Sequence, residues 1–199
     1  MISHPEALEK VLATATHFGS EKIPLLESLN RILAEDIFAD RDFPPFDRVT
    51  KDGIAVNSQA LENNKTSFRI EAVYAAGSPQ GILNSLENCV EIMTGAMLPK
   101  NCDSVIMYED IEIKNGIATL QTEVKPRINI HRKGSDRQSG EKVLSKNQRI
   151  SAKEIGVLAT VGTSKVLVKK LPKIAIISTG DELVNVEETP LPHQIRTSN

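Results

Sequence analysis

The sequence predicts an α+β fold in which a discontinuous helix-and-strand outer domain, residues 1–41 and 141–171, receives an inserted β-rich domain, residues 42–140. Helical spacing at both ends brackets a middle made of short alternating strands and turns. A second observation concerns Lys173-Ile174-Ala175-Ile176-Ile177-Ser178-Thr179, whose unbroken apolar run suits a strand covered on both faces. It reads as the first strand of an incomplete α/β domain over 172–199, since a crossover and a second strand need more residues than follow it. The chain is therefore expected to be a fragment. Its 199 residues, 40% hydrophobic and 25% charged, suit one large or two small soluble domains.

In chain order, Ser3-His4-Pro5-Glu6 forms a capping box before Leu8, Val11, Leu12 and Ala15 at helical spacing, with Gly19 as the stop. Ile23-Pro24-Leu25 is extended. A second helix is expected near 26–34 with Leu26, Leu29, Ile32 and Leu33 on one face, before an extended stretch over Asp36–Asp40. Asp42–Val56 is a stiff loop: Pro44 and Pro45 fix φ, and Asp52-Gly53 is a turn signal ahead of a strand opened by Ile54 and Val56. Phe68, Ile70, Ala72 and Tyr74 alternate as a half-buried strand, Val90 and Ile92 alternate again, and Val105-Ile106-Met107 reads as buried. Asn115-Gly116 between isoleucine-rich strands is a hairpin signal, and Ile128 and Ile130 make a further short strand. Ser151-Ala152-Lys153-Glu154 is a second capping box, leading into Ile155, Leu158 and Ala159 with Gly162 as the stop; Val166 and Val168 then alternate in a strand ending at Pro172.

Bulk properties exclude several functions. A net charge of −2 and the lack of any polybasic run give no pull toward nucleic acid or an anionic membrane. Met1–Glu6 lacks the apolar core of a signal peptide, and no apolar run approaches the about 18 residues of a membrane span. Cys89 and Cys102 without a CxxC fit free thiols in a reducing cytoplasm. His4, His17, His131 and His193 have no metal-ligand spacing, and Met93, Met97 and Met107 read as core and rim filler. Walker, GxGxxG, GxSxG and HExxH motifs are missing.

Chemistry concentrates in four loops: Asp47–Asp52, Thr94-Gly95-Ala96, Lys133-Gly134-Ser135-Asp136, and Ser178-Thr179-Gly180-Asp181-Glu182. Each joins a hydroxyl or carboxylate to a glycine, so backbone can approach a ligand closely. A phosphate or other oxyanion would be held by glycine-flanked N–H groups, Thr94, and the cations Lys51, Arg132 and Lys133. Asp52, Asp136, Asp181 and Glu182 would repel such an anion unless a hard cation such as Mg²⁺ stands between, which makes them candidate metal or general-base groups if they converge. Taken singly, each loop also reads as ordinary turn chemistry.

In this order the four loops resemble the molybdopterin molybdenumtransferases, the molybdenum insertase family that includes MoeA and the E domain of gephyrin. The matching segments are Pro44-Pro45-Phe46 with Lys51-Asp52-Gly53-Ile54-Ala55-Val56, Ile92-Met93-Thr94-Gly95-Ala96 with Leu98-Pro99, and Asp103–Asp110. Arg132-Lys133-Gly134-Ser135-Asp136, Glu154–Ala159 and Ser178-Thr179-Gly180-Asp181-Glu182-Leu183 complete them, so the similarity runs from about residue 5 to the C-terminus. Two departures stand out: Ile54 where the family usually has Tyr or Phe, and Arg48-Val49-Thr50 in place of a serine-containing stretch.

The resemblance implies a reaction joining molybdate to adenylylated molybdopterin, Mg²⁺-dependent and releasing AMP with the molybdenum cofactor. It implies an elongated cytoplasmic homodimer with four domains per subunit, the first discontinuous and dimerising, the second inserted into it, the third an α/β molybdopterin-binding domain. This chain would hold the first two and the opening of the third, and would be inactive alone. By resemblance Asp52, Thr94, Asp136 and Glu182 fall on the family's functional positions; Lys51, Gly95, Arg132, Lys133, Ser178, Thr179 and Gly180 would contact substrate; Asp52, Asp136 and Asp181 would face Mg²⁺ or molybdate. A molybdopterin adenylyltransferase and recipient molybdoenzymes are the implied functional partners. The alternative is a non-enzymatic dimerisation or scaffolding module.

Overall fold

Ser3 opens the first helix, α1 (His4–Ala13), by the expected capping box: its N–H donates to Glu6 at 2.7 Å while its hydroxyl accepts from the Glu6 N–H. The computed structural model describes residues 2–14 and 17–198; Ala15, expected on the apolar helix face, lies outside them. The helix ends at Ala13 rather than at Gly19, which at φ 82° leads into β1 (Ser20–Pro24). None of α1 is buried, and Leu8, Val11 and Leu12 face solvent.

The helix expected over 26–34 does not form. A single 3-10 turn, Leu25–Glu27, is followed by Asn30 at φ 66°. Beyond it, the Leu33 and Ala34 N–H groups donate to the Gln148 and Leu167 carbonyls, and the Ile150 N–H donates back to Arg31. Pairing with distant chain outweighs the helical spacing of the leucines.

The remaining elements are β2 (Ile37–Phe38), β3 (Arg48–Val49), β4 (Gly53–Val56), α2 (Ser58–Glu62), β5 (Ser67–Tyr74), β6 (Cys89–Ile92), β7 (Ser104–Met107), β8 (Ile111–Lys114) and β9 (Ile117–Leu120). They continue with β10 (Ile130–His131), β11 (Lys142–Leu144), α3 (Ala152–Thr160), β12 (Lys165–Lys169), β13 (Leu183–Val184) and β14 (Ile195–Arg196). The architecture is mixed α+β, rich in sheet and poor in helix. The short helix α2, capped by the Asn57 side chain on the Gln59 N–H, was not legible in the apolar pattern.

Two ends of the chain share one core. β1 pairs antiparallel with β12 and β2 with β11, enclosing Leu33, Ile37, Leu144, Ile150, Leu158, Val166 and Val168. Ser151 and Glu154 cap α3 reciprocally, and Gly162 at φ 75° ends it, as expected. Between the ends lies a six-stranded sheet of order β7-β4-β6-β5-β9-β8, antiparallel except for the β5–β6 pair. Alternation along β4 sends Ala55 to one core with Val90, Ile92 and Val105, and Ile54 and Val56 to the other with Phe68, Ile106 and Ala118. Asn115 at φ 51° and Gly116 at φ 75° close the β8–β9 hairpin as the dipeptide predicts.

The apolar run over 173–179 is not a strand. Residues 171–180 carry no regular structure, and Ile174, Ile176 and Ile177 are 78%, 73% and 82% exposed. A strand apolar on both faces needs neighbouring strands and cover on each side, and the described residues around it supply neither. Among the described residues no helix is long and apolar enough to cross a membrane.

Candidate functional site

The loop between β2 and β4 is stitched to two others by backbone pairing. β3 lies antiparallel to β10, with Arg48 opposite His131, and also bridges to Met97. The Val49 N–H donates to Ala96 and the Gly95 N–H donates back to Val49. Phe43, joined to Pro44 by a cis peptide bond, accepts through its carbonyl from Asp136 and Arg137. Three of the four predicted loops therefore share one rim, beside the start of β4 and the end of β6.

Asp52 does not close a local turn of its own. Its Oδ1 accepts the Thr94 N–H at 2.6 Å, across a sequence separation of 42. Bonds from the Thr94 backbone and side chain hold the exposed Asp52 carboxyl below its ordinary range, so it is ionised in neutral water. Gly53 is likewise no turn glycine: it opens β4 between Ile92 and Met107, and a Cβ there would sit 1.9 Å from the Ile106 carbonyl oxygen. Behind this corner the Tyr108 hydroxyl donates to Glu91 in a short bond, and the Tyr108 N–H donates to the Asp52 carbonyl. Burial, reinforced by Glu91, pushes the Tyr108 phenol up, so it stays a donor.

At the other end of the rim, Asp136 Oδ1 lies 2.9 Å from His131 Nε2, and His131 Nδ1 lies 3.1 Å from the Arg48 guanidinium. Arg132 donates to Asp47 Oδ2 at 2.7 Å, the Lys133 N–H donates to Asp47 Oδ1 at 2.8 Å, and Lys133 Nζ pairs with Asp42 at 3.4 Å. Burial raises the Asp47 carboxyl, but the Lys133 N–H and the Arg132 guanidinium outweigh it and hold the group low. By motif, Asp47 and Arg48 read only as part of the loop and Asp42 and His131 carry no site role, because the β3–β10 register that joins Arg48 to His131 has no local signal.

These bonds change the expected chemistry. The N–H groups of Thr94, Gly95, Lys133, Gly134, Ser135 and Asp136 all donate within the protein, so the glycine-flanked backbone is no anion cradle here. Arg132 and Lys133 are neutralised by Asp47 and Asp42; Lys51 is exposed and forms no ion pair among the described residues. In the fourth loop the Gly180 and Glu182 carbonyls accept from Leu183 and Ile195, within the same segment that holds Ser178, Thr179 and Asp181. Among the described residues no three His, Cys, Asp or Glu gather into a metal set, so Asp52, Asp136 and Asp181 do not surround one ion within this chain. The rim presents exposed carboxylates, which suit Mg²⁺ held by one or two protein oxygens plus phosphate and water.

The model of the MoeA N-terminal region, domains I and II, matches residues 2–162. The chain belongs to the MoeA family. A molybdopterin molybdenumtransferase of Synechocystis is 39% identical over 201 residues, covering 100% of this chain and 52% of that protein. One of Staphylococcus epidermidis is 36% identical over 202 residues, covering 100% and 48%. Two structures of the molybdopterin biosynthesis MoeA protein of Pyrococcus horikoshii superpose with TM-scores of 0.82 and 0.85, at 34% and 31% identity, covering 98% and 94% of this chain and 51% of each of theirs. The chain thus spans about half the length of the MoeA relatives it matches. Within that half, the rim geometry brings the loops of Asp52, Thr94 and Asp136 together.

Proposed function

We propose that this chain is the N-terminal part of a cytoplasmic molybdopterin molybdenumtransferase, joining molybdate to adenylylated molybdopterin with release of AMP. Residues 1–41 and 141–171 form its dimerisation domain, 42–140 the inserted domain, and 172–199 the opening of the molybdopterin-binding α/β domain. The observation that carries this reading is the Asp52–Thr94 bond, which fixes an ionised carboxylate beside a hydroxyl on the rim shared with Asp136. Because the rim's N–H groups and most of its cations are already engaged, it contributes carboxylates, and the anion grip comes from a partner subunit's pterin domain in a homodimer. Asp52 or Asp136, each from its own end of the rim, would hold Mg²⁺ against the adenylate phosphate, the ion supplying charge neutralisation there. Thr94 would orient molybdate or phosphate oxygen, while the Asp181–Glu182 loop would act within the α/β domain. A molybdopterin adenylyltransferase supplies the substrate and molybdoenzymes take the product.

Asp52→Ala in a full-length parent tests this. Cofactor formation from adenylylated molybdopterin, molybdate and Mg²⁺ should be lost while the melting curve is kept; unchanged turnover would reduce Asp52 to a loop residue. The exposed apolar face of α1, Leu8, Val11 and Leu12, favours one further reading, a dimerising scaffold without chemistry of its own. Dimerisation without any effect of rim substitutions on cofactor formation would select it.

A further inference from the structure

A second concave site lies where the strand pair β1–β12 meets the turn after β11. A cavity of about 630 Å³ there is lined by His17, Gly19, Ser20, Lys146, Asn147, Lys169 and Lys170, with Phe18 and Ala34 as its apolar wall. Its volume is that of a small-molecule site. Three lysines line it and no carboxylate does, in a chain whose net charge is −2. Among the described residues none of Lys146, Lys169 or Lys170 forms an ion pair, whereas Lys65, Lys114, Lys133 and Lys142 each do.

Of the acids on neighbouring stretches of the chain, Asp36 accepts the Lys146 backbone N–H at 2.7 Å, pairs with Lys142 Nζ at 3.5 Å and also attracts the Lys146 charge. Glu35 accepts the Leu167 N–H, and Glu21 pairs with Arg31 at 2.6 Å. The walls are rigid: Ser20 pairs with Lys169 in the β1–β12 ladder, the Lys170 N–H donates to Gly19, and the Asn147 N–H donates to Leu33. Gly19, at φ 82°, has nothing within 4 Å of where a Cβ would be. Unpaired ammonium groups gathered in one concavity repel each other until an anion bridges them.

We infer that the His17–Lys170 cavity is a binding site for a small phosphorylated anion, a di- or polyphosphate group held by Lys146, Lys169 and Lys170. The site uses none of the three rim loops, so it stands or falls apart from the proposed chemistry there.

Pyrophosphate is the probe, titrated into the chain at constant ionic strength and followed by calorimetry and by amide shifts of Gly19, Asn147 and Lys169. Saturable binding with shifts confined to those residues is expected. Lys169→Gln should weaken it about tenfold and Lys169→Gln with Lys170→Gln about a hundredfold, each loss being that of one charge-assisted bond. Lys114→Gln, on the β8–β9 hairpin, should bind as the unaltered chain does. Equal affinity in the double variant, an equal loss with Lys114→Gln, or shifts spread over the surface would overturn the site. Equal affinity for sulfate would overturn its preference for phosphate chains. Melting curves of each variant without ligand show whether the fold is kept. If Lys169→Gln unfolds the chain, Lys170→Gln and Lys146→Gln, both on exposed residues, decide the matter by the same measure.

Discussion

Replacing Gly53 by alanine puts a methyl group where the structure has no room. The new Cβ would lie 1.9 Å from the Ile106 carbonyl oxygen, 2.8 Å from its carbon and 2.9 Å from the Met107 Cα, all of them backbone atoms of β7. Ordinary contact requires β4 and β7 to part by about 1.5 Å. That opening strains the ladder in which Gly53 faces Met107 and the bond from Tyr108 to Asp52. Overpacking of about 1–3 kcal/mol, with a buried backbone bond worth about 1 kcal/mol, places the loss near 3 kcal/mol. For a chain of this size the melting temperature should fall by about 6–12 °C. Gly156→Ala is the matched control: it sits in α3, with nothing within 4 Å of its added carbon. There the same chemical change should stabilise by about 0.5–1 kcal/mol. Calorimetric melts of both variants check the pair. A Gly53→Ala protein that melts with the unaltered one would refute the claim that β4 is held by close backbone approach, and with it the account of how Asp52 is aimed.

Acid should weaken the fold from the carboxylates inward. Backbone N–H groups of Lys146 and Ser139 hold Asp36 and Asp42 low, and Asn88, Asn84 and Ser85 outweigh burial to do the same for Glu71. Groups with lowered folded pKa values stabilise above their unfolded values and lose that contribution as pH falls. Melting temperature should therefore hold from pH 7 to about 5 and drop below about pH 4; a flat profile to pH 3 would contradict it. Cys89 and Cys102 should resist a thiol reagent at pH 8 in the native chain and react fully in denaturant. Burial pushes both thiols up to about 12, and the side chains are 0% and 8% exposed.

Patterns that are local in sequence were legible: both capping boxes, the Asn115-Gly116 hairpin, the alternating strands, and the resemblance carried by the loops. What escaped depended on distant partners. Leu26–Ala34 has helical spacing, yet Arg31, Leu33 and Ala34 bond to residues more than a hundred positions away. Asp52-Gly53 reads as a turn, yet Asp52 turns to Thr94 and Gly53 serves close strand approach. Likewise the glycine-flanked loops of the rim read as anion cradles, until the fold shows the N–H groups of Thr94, Gly95 and Lys133–Asp136 donating within the protein. His131 carried no metal spacing and was set aside, although the β3–β10 register places it between Arg48 and Asp136.

The charge arrangement of the rim makes Asp47 its governor. Its carboxylate takes the Arg132 guanidinium and the Lys133 backbone N–H while Asp42 takes the Lys133 ammonium, so the two cations that would face a phosphate are spent on the protein. Asp47→Asn keeps the size and removes the charge. The pair is half exposed, so the loss of stability should stay near 0–1 kcal/mol. Arg132, released, should bind pyrophosphate at the rim, with amide shifts appearing at Arg132 and Lys133 that the unaltered chain does not show. If Asp47→Asn gains no such binding, the rim's silence toward anions has another cause than neutralisation by Asp47. If the unaltered chain already binds there, the division of labour between carboxylates on this chain and an anion grip on its partner is wrong.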